Sequence, residues 1–152
     1  MQSGRRLAVD FGDVRVGLAM SDSSGLLASP LLTINNDGLD QAISAIVKVI
    51  EENEIVTVYL GLPIHLSGSE GSASNKVREF ALTLQRSIPT RVKLRLIDER
   101  LSTAQAEREA MSVGKKLKKE NIDQLAAVVI LENALHAERI HGDWAGKPVL
   151  EL

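Results

Sequence analysis

Apolar residues recur along this chain with two periods, and the changes from one to the other mark out its elements. Leu7–Asp10 and Val14–Met20 are short, largely apolar runs parted by Gly12–Asp13, a pair suited to the tight turn of an antiparallel hairpin. Ala28–Ile34 reads as a third strand. At Leu39 the period becomes helical: Leu39, Ala42, Ile43, Ile46, Val47 and Ile50 share one stripe after the start signal Asn36–Asp37–Gly38. Ile55–Leu60 is nearly continuous and rich in β-branched residues, as a strand buried on both faces should be, and Gly61–Leu62–Pro63 ends it.

Beyond a Gly/Ser-rich loop, Ser67–Ser74, helical spacing returns at Ala73, Val77, Phe80, Ala81 and Leu84. Val92–Ile97 then alternates apolar with basic residues and delivers Asp98–Glu99 at its end. Ser102 with Gln105 forms a capping box for a further helix that stops at Gly114, and Lys115–Glu120 connects it to a last helix starting near Asn121. The run Leu125–Leu131 is apolar on more than one side, which implies packing against a sheet; Trp144–Leu152 is expected to be a surface tail. Three hairpin-like strands followed by alternating helices and strands predict an α/β fold. Its mixed sheet has five strands, the first three antiparallel and the later ones parallel, flanked by helices. No repeat or linker divides the 152 residues, so one domain over 1–152 is expected.

Composition narrows the chemistry. The chain has no cysteine, which removes disulfides, zinc thiolates, iron–sulfur clusters and thiol nucleophiles, so any metal must sit on oxygen or imidazole. Aromatic residues are 3% of the chain and scattered, leaving no row on which single-stranded bases could stack. The net charge of −2 means that nucleic-acid binding would depend on local basic patches. Only Leu7–Ala8–Val9 follows the basic start before Asp10, and no run approaches membrane-spanning length, so a cytoplasmic protein with no membrane partner is expected.

Ligands of open α/β sheets gather at the carboxyl ends of strands, where Asp10 and Glu99 both fall. Asp123 joins them if the last helix lays its first turn over the same edge. Three carboxylates together repel one another unless a cation lies between them, and magnesium prefers such hard oxygen ligands. Taken singly, each acid has a structural explanation: Asp10 ends a strand, Glu99 can pair with Arg95 or Arg100, and Asp123 suits a helix N-terminus.

Arg15, across the turn from Asp10, could grip a phosphate with two N–H groups or pair with Asp13 or Asp98. Arg100 stands beside the proposed ligand. Lys115, Lys116, Lys118 and Lys119 form a candidate phosphate-backbone contact or a solvated helix end. Arg91, Lys93 and Arg95 share one strand face, as a basic stripe or a protected edge would. Gly17 lies inside the second strand, where a missing side chain lets another backbone or a ligand come close.

The stretch Asp10–Phe11–Gly12–Asp13–Val14–Arg15–Val16–Gly17–Leu18–Ala19 resembles the D-x-G-x-x-R-x-G-x-A signature of the YqgF family, also called RuvX. The resemblance continues through Gly61–Leu62–Pro63, with Gly68 and Gly71 after it, and Asp98–Glu99–Arg100–Leu101–Ser102–Thr103–Ala104. It extends to Asp123 with Ala126–Ala127 and Leu131–Glu132. It implies a ribonuclease H-like fold with structural loop positions at Gly12, Gly17, Gly61 and Pro63. It also implies a nuclease in which Asp10, Glu99 and Asp123 hold Mg2+ or Mn2+, with Glu99 favoured over its neighbour Asp98. The family is associated with 5′-end maturation of precursor 16S ribosomal RNA. Its older description gives the alternative, resolution of Holliday junctions in branched DNA, and a second alternative is a non-catalytic nucleic-acid-binding module. The expected partner is structured precursor rRNA or branched DNA, and the expected state a monomer or weak homodimer. Asp13 and His65 stand where relatives carry a small hydroxyl residue and a polar residue such as Asn. A sugar-kinase-like or actin-like ATPase, also suggested by Asp10–Gly12, needs two such domains and a second phosphate loop, for which the chain has no room.

Overall fold

The computed structural model describes residues 3–64, 67–99 and 119–149. The strands are β1 (Arg5–Phe11), β2 (Arg15–Ser21), β3 (Ala28–Asn35), β4 (Ile55–Leu62), β5 (Lys93–Asp98) and β6 (Lys147–Pro148). The helices are α1 (Leu39–Glu52), α2 (Ser72–Ser87) and α3 (Lys119–His141). The helix expected over Ser102–Gly114 lies outside the described residues, as do Arg100, Lys115, Lys116, Lys118 and His65.

One sheet runs in the order β3-β2-β1-β4-β5-β6. β1, β2 and β3 pair antiparallel, while β1, β4 and β5 run parallel. Strand alternation divides the side chains between two cores. Leu7, Val9, Leu18, Val58, Leu60, Leu94 and Leu96 point to one face and pack against Ile43 and Ile46 of α1 and Val77 and Phe80 of α2. Ala8, Ala19, Tyr59 and Ile97 point to the other, beneath Ala127, Ile130, Leu131 and Ala134 of α3. The α3 face carries alanines where the opposite face carries leucine and valine, so α3 sits close to the backbone of β1 and β2. Each fully buried Leu or Ile contributes about 1.5–3 kcal/mol, and Leu7, Leu18, Ile46, Leu60, Ile130 and Leu131 are all at 0% exposure.

Two expectations need correction. Among the described residues the sheet has six strands rather than five, and the sixth lies in the segment expected to be a surface tail. Lys147–Pro148 pairs antiparallel with Leu96 and Arg95, and Ala145 and Val149 beside it are buried. Two residues, one of them proline, carry no readable period. The segment is held instead by Arg95, whose Nε donates to the Ala145 carbonyl at 2.9 Å and whose Nη2 donates to the Gly146 carbonyl at 2.5 Å. Arg95 therefore serves this chain-end contact, while Arg91 and Lys93 remain exposed.

Candidate functional site

Strand register brings Asp10 and Glu99 to one edge of the sheet. Val9 of β1 pairs with Leu60 of β4, and Gly61 of β4 pairs with Ile97 of β5, so Asp10, Gly61 and Glu99 follow one another across the carboxyl ends of three parallel strands. Alternation decides which side chains share a face. Asp10 lies in phase with Ala8, Gly61 with Tyr59, and Glu99 with Ile97, all on the α3 side. Asp98 falls in phase with Leu94 and Leu96 on the opposite face. Asp10 and Glu99 are 6% and 7% exposed, deep enough for their charges to act through a weakly screening medium.

Glycine supplies the room between them. β1 and β5 are separated by two strand spacings, about 10 Å, and the strand between carries no side chain at position 61. A Cβ built there would stand 2.7 Å from Oε1 of Glu99 and 2.7 Å from Cδ1 of Ile130 on α3. The carboxylate of Glu99 thus leans into the gap on the Asp10 side.

Gly17 performs the corresponding task on β2. It is the register partner of Asp10, and a Cβ on it would fall onto the carbonyl oxygen of Asp123 and within 2.9 Å of that residue's Cβ. The first turns of α3 rest directly on this bare backbone. Asp123 consequently lies over the strand next to Asp10, although more than a hundred residues separate them in sequence. Its Oδ2 accepts a hydrogen bond from Nε of Arg15 at 2.9 Å, with the two side chains 16% and 26% exposed. Position in the sequence suggests Asp13 and Asp98 as partners of Arg15. Asp13 instead meets Lys76 at 3.2 Å on the surface, and Asp98 belongs to the other face.

Among the described residues, no three His, Asp or Glu side chains converge closely enough to hold a metal ion as they stand. Glu99 reaches into the gap at Gly61, Asp10 stands on the neighbouring strand on the same face, and the Asp123 carboxylate is turned to Arg15. Lys119 is the first residue of α3. Pro63 closes the loop after β4, its carbonyl accepting a hydrogen bond from the buried hydroxyl of Ser74 in α2. In the adjoining loop, Arg78 binds Glu70 through Nε and Nη2 at 2.6 and 2.7 Å, holding that carboxyl below its usual range.

A second polar cluster, not anticipated from sequence, lies at the other end of the α3 face. Arg6, Tyr59 and Glu138 are essentially inaccessible. Nη2 of Arg6 donates to Oε1 of Glu138 at 2.6 Å, and the hydroxyl of Tyr59 donates to Oε2 at 2.6 Å while accepting from the Ala145 N–H at 3.1 Å. The Arg6 guanidinium also lies 5.3 Å from the centre of the Trp144 ring. Burial, with the bond to Glu138 second, pushes the Tyr59 hydroxyl far above its ordinary value of 10.0. The signal in the sequence is phase: Arg6 alternates with Leu7 on a buried strand, so it must enter the same face as Ala8 and Asp10.

The model of the RuvX family, described as Holliday junction resolvase, matches residues 4–137. A Streptomyces avermitilis protein carrying the provisional name pre-16S rRNA nuclease is 45% identical over 98% of this chain and 96% of its own length. One from a Nocardioides species with the same name is 42% identical over 99% of each. Among solved structures, Thermus thermophilus RuvC in complex with a Holliday junction substrate superposes with a TM-score of 0.62 at 14% identity. That match covers 95% of this chain and 98% of RuvC, a likeness in fold.

Proposed function

The chain belongs to the RuvX family and has a ribonuclease H-like fold; from that premise we propose that it is a divalent-metal-dependent nuclease acting in 5′-end maturation of precursor 16S rRNA. The observation that carries the chemistry is the shared face of Asp10, Gly61 and Glu99, two buried carboxylates separated by a residue with no side chain. The donor set suits Mg2+ or Mn2+: the available ligands are hard carboxylate oxygens, and the chain contains no thiol. When bound, such an ion activates water and stabilises charge developing on phosphoryl oxygens.

This chain's own residues supply the rest. Asp10 and Glu99 hold the ion, and Asp123, carried by α3 over Gly17, completes the ligand set. Arg15 serves the phosphate next to the scissile bond, where a guanidinium can donate two hydrogen bonds. Arg100, Lys115, Lys116, Lys118 and Lys119 serve the neighbouring backbone. The choice of rRNA is supported by the names of relatives above 40% identity. The protein acts in the cytoplasm as a monomer or weak homodimer, and no described helix is long and apolar enough to cross a membrane.

A second reading, resolution of four-way DNA junctions, is favoured by the description of the family and by the RuvC fold. One comparison separates the two: purified protein with Mg2+ or Mn2+ on a precursor 16S rRNA fragment and on a four-way junction. The rRNA reading expects cleavage of the RNA and little action on the junction. Symmetric junction cleavage by a stable dimer would replace it, and a protein inert on both substrates would leave a non-catalytic binding module.

A further inference from the structure

The Arg15–Asp123 contact has a meaning beyond an ordinary ion pair, because it joins a phosphate-binding candidate to a metal-ligand candidate. We propose that Arg15 is a stand-in cation: it holds the Asp123 carboxylate until the divalent ion is loaded, and then gives that carboxylate up and presents its freed guanidinium to the phosphate. The inference rests on the proposed metal site and adds to it a competition between one arginine and the ion for one carboxylate.

Three features support the exchange. First, the contact is close, Nε to Oδ2 at 2.9 Å, yet both side chains retain access to solvent at 26% and 16%. The pair can therefore open without stranding a charge in the core, unlike Arg6–Glu138, whose side chains are 0% and 1% exposed. Second, the backbone of Asp123 is fixed, since its carbonyl occupies the space left by Gly17, the register partner of Asp10. Only the Asp123 side chain needs to turn, from Arg15 toward the gap between Asp10 and Glu99. Third, Arg15 lies on β2 in phase with Gly17, on the same face as all three acids. One positive charge there relieves repulsion among them before the ion arrives.

Competition has a linkage consequence: whatever Arg15 contributes to holding Asp123 is subtracted from metal affinity. Removing the arginine should therefore tighten Mg2+ binding, even as it removes a phosphate ligand. Titration calorimetry with MgCl2 on the full-length wild type, Arg15→Ala and Asp10→Asn measures this directly. Following the Arg15 Nε–H resonance of the 15N-labelled wild type during the same titration gives a readout that needs neither activity nor a variant. Arg15→Ala is expected to bind Mg2+ about three- to tenfold more tightly. The Arg15 resonance is expected to move with the same midpoint as the wild-type heat, and Asp10→Asn to lose the binding. If the wild type binds Mg2+ and Asp10→Asn does not, then an unchanged or weaker affinity in Arg15→Ala, or an unmoved Arg15 resonance, overturns the exchange and leaves the metal site standing. If the wild type shows no Mg2+ binding, or Asp10→Asn binds as well as wild type, the site itself fails and the exchange falls with it.

Discussion

Helix α3 presents an acid to an arginine at each end of the same sheet face. Toward its carboxyl end, Glu138 meets Arg6, and toward its amino end, Asp123 meets Arg15. Glu138 has its two oxygens taken by Arg6 and Tyr59, is fully buried and makes bonds near 2.6 Å. That acid is fixed in place by the fold. Asp123 makes its contact at 2.9 Å with part of its side chain open to solvent, over the sheet edge where Asp10 and Glu99 end their strands. A buried acid with a matched counter-ion serves stability, whereas acids gathered around a glycine gap at the carboxyl ends of strands suit a ligand.

If that contrast is correct, substitutions at the two ends should have opposite signatures. The largest effect is expected from Asp10→Asn, which should lower cleavage by about a thousandfold or more, over 4 kcal/mol on the barrier. It should leave the fold intact, with a cooperative melting transition near that of wild type, because Asn keeps the size and much of the hydrogen-bonding capacity of Asp. A cleavage assay and a melting curve on the same preparation check both parts. Glu138→Ala should do the reverse. It strands the Arg6 charge in the core and should cost about 3 kcal/mol of folding free energy by urea unfolding, with kcat of the remaining folded protein close to wild type. An equal loss of kcat in both variants would erase the distinction.

Gly17→Ala tests the joint between fold and site. The added methyl collides with the Asp123 carbonyl, so α3 must lift from β2. A cost of about 1–3 kcal/mol in stability and roughly a ten- to hundredfold loss of cleavage are expected. Unchanged values would mean that the close approach of α3 is dispensable. The smallest effect is a pH dependence at the stability end. The folded-state pKa of Tyr59 is raised well above its ordinary 10.0, so the neutral hydroxyl is retained in the folded protein while the unfolded chain ionises. Its contribution is fully present below pH 10 and declines as pH rises beyond it. Tyr59→Phe should flatten that alkaline decline while costing about 1 kcal/mol near neutral pH, measured by unfolding at several pH values.

Much of this geometry was legible in the chain. The period-2 and helical patterns located β1 to β5, α1, α2 and the start of α3 to within a few residues, because each buries a regular apolar face. Asp10 and Glu99 stood out by ending strands. What pattern could not supply was pairing over distance. Arg15 offered several acids as partners, and only the seating of α3 on Gly17 selects Asp123. Likewise, Arg6 and Glu138 lie 132 positions apart and meet because one enters from a strand and the other from a helix on the same face. β6 escaped notice because two residues have no period, and its position is fixed by Arg95 and Tyr59 rather than by its own composition.

The central claim is that the catalytic carboxylates are those on the α3 face, which makes neighbouring residues Asp98 and Glu99 unequal. Mg2+ titration of Asp98→Asn and Glu99→Gln, side by side with wild type, tests it most directly. The account predicts that Asp98→Asn keeps wild-type affinity and Glu99→Gln loses it. The opposite pattern, loss in Asp98→Asn with retention in Glu99→Gln, would contradict the assignment of the site to that face.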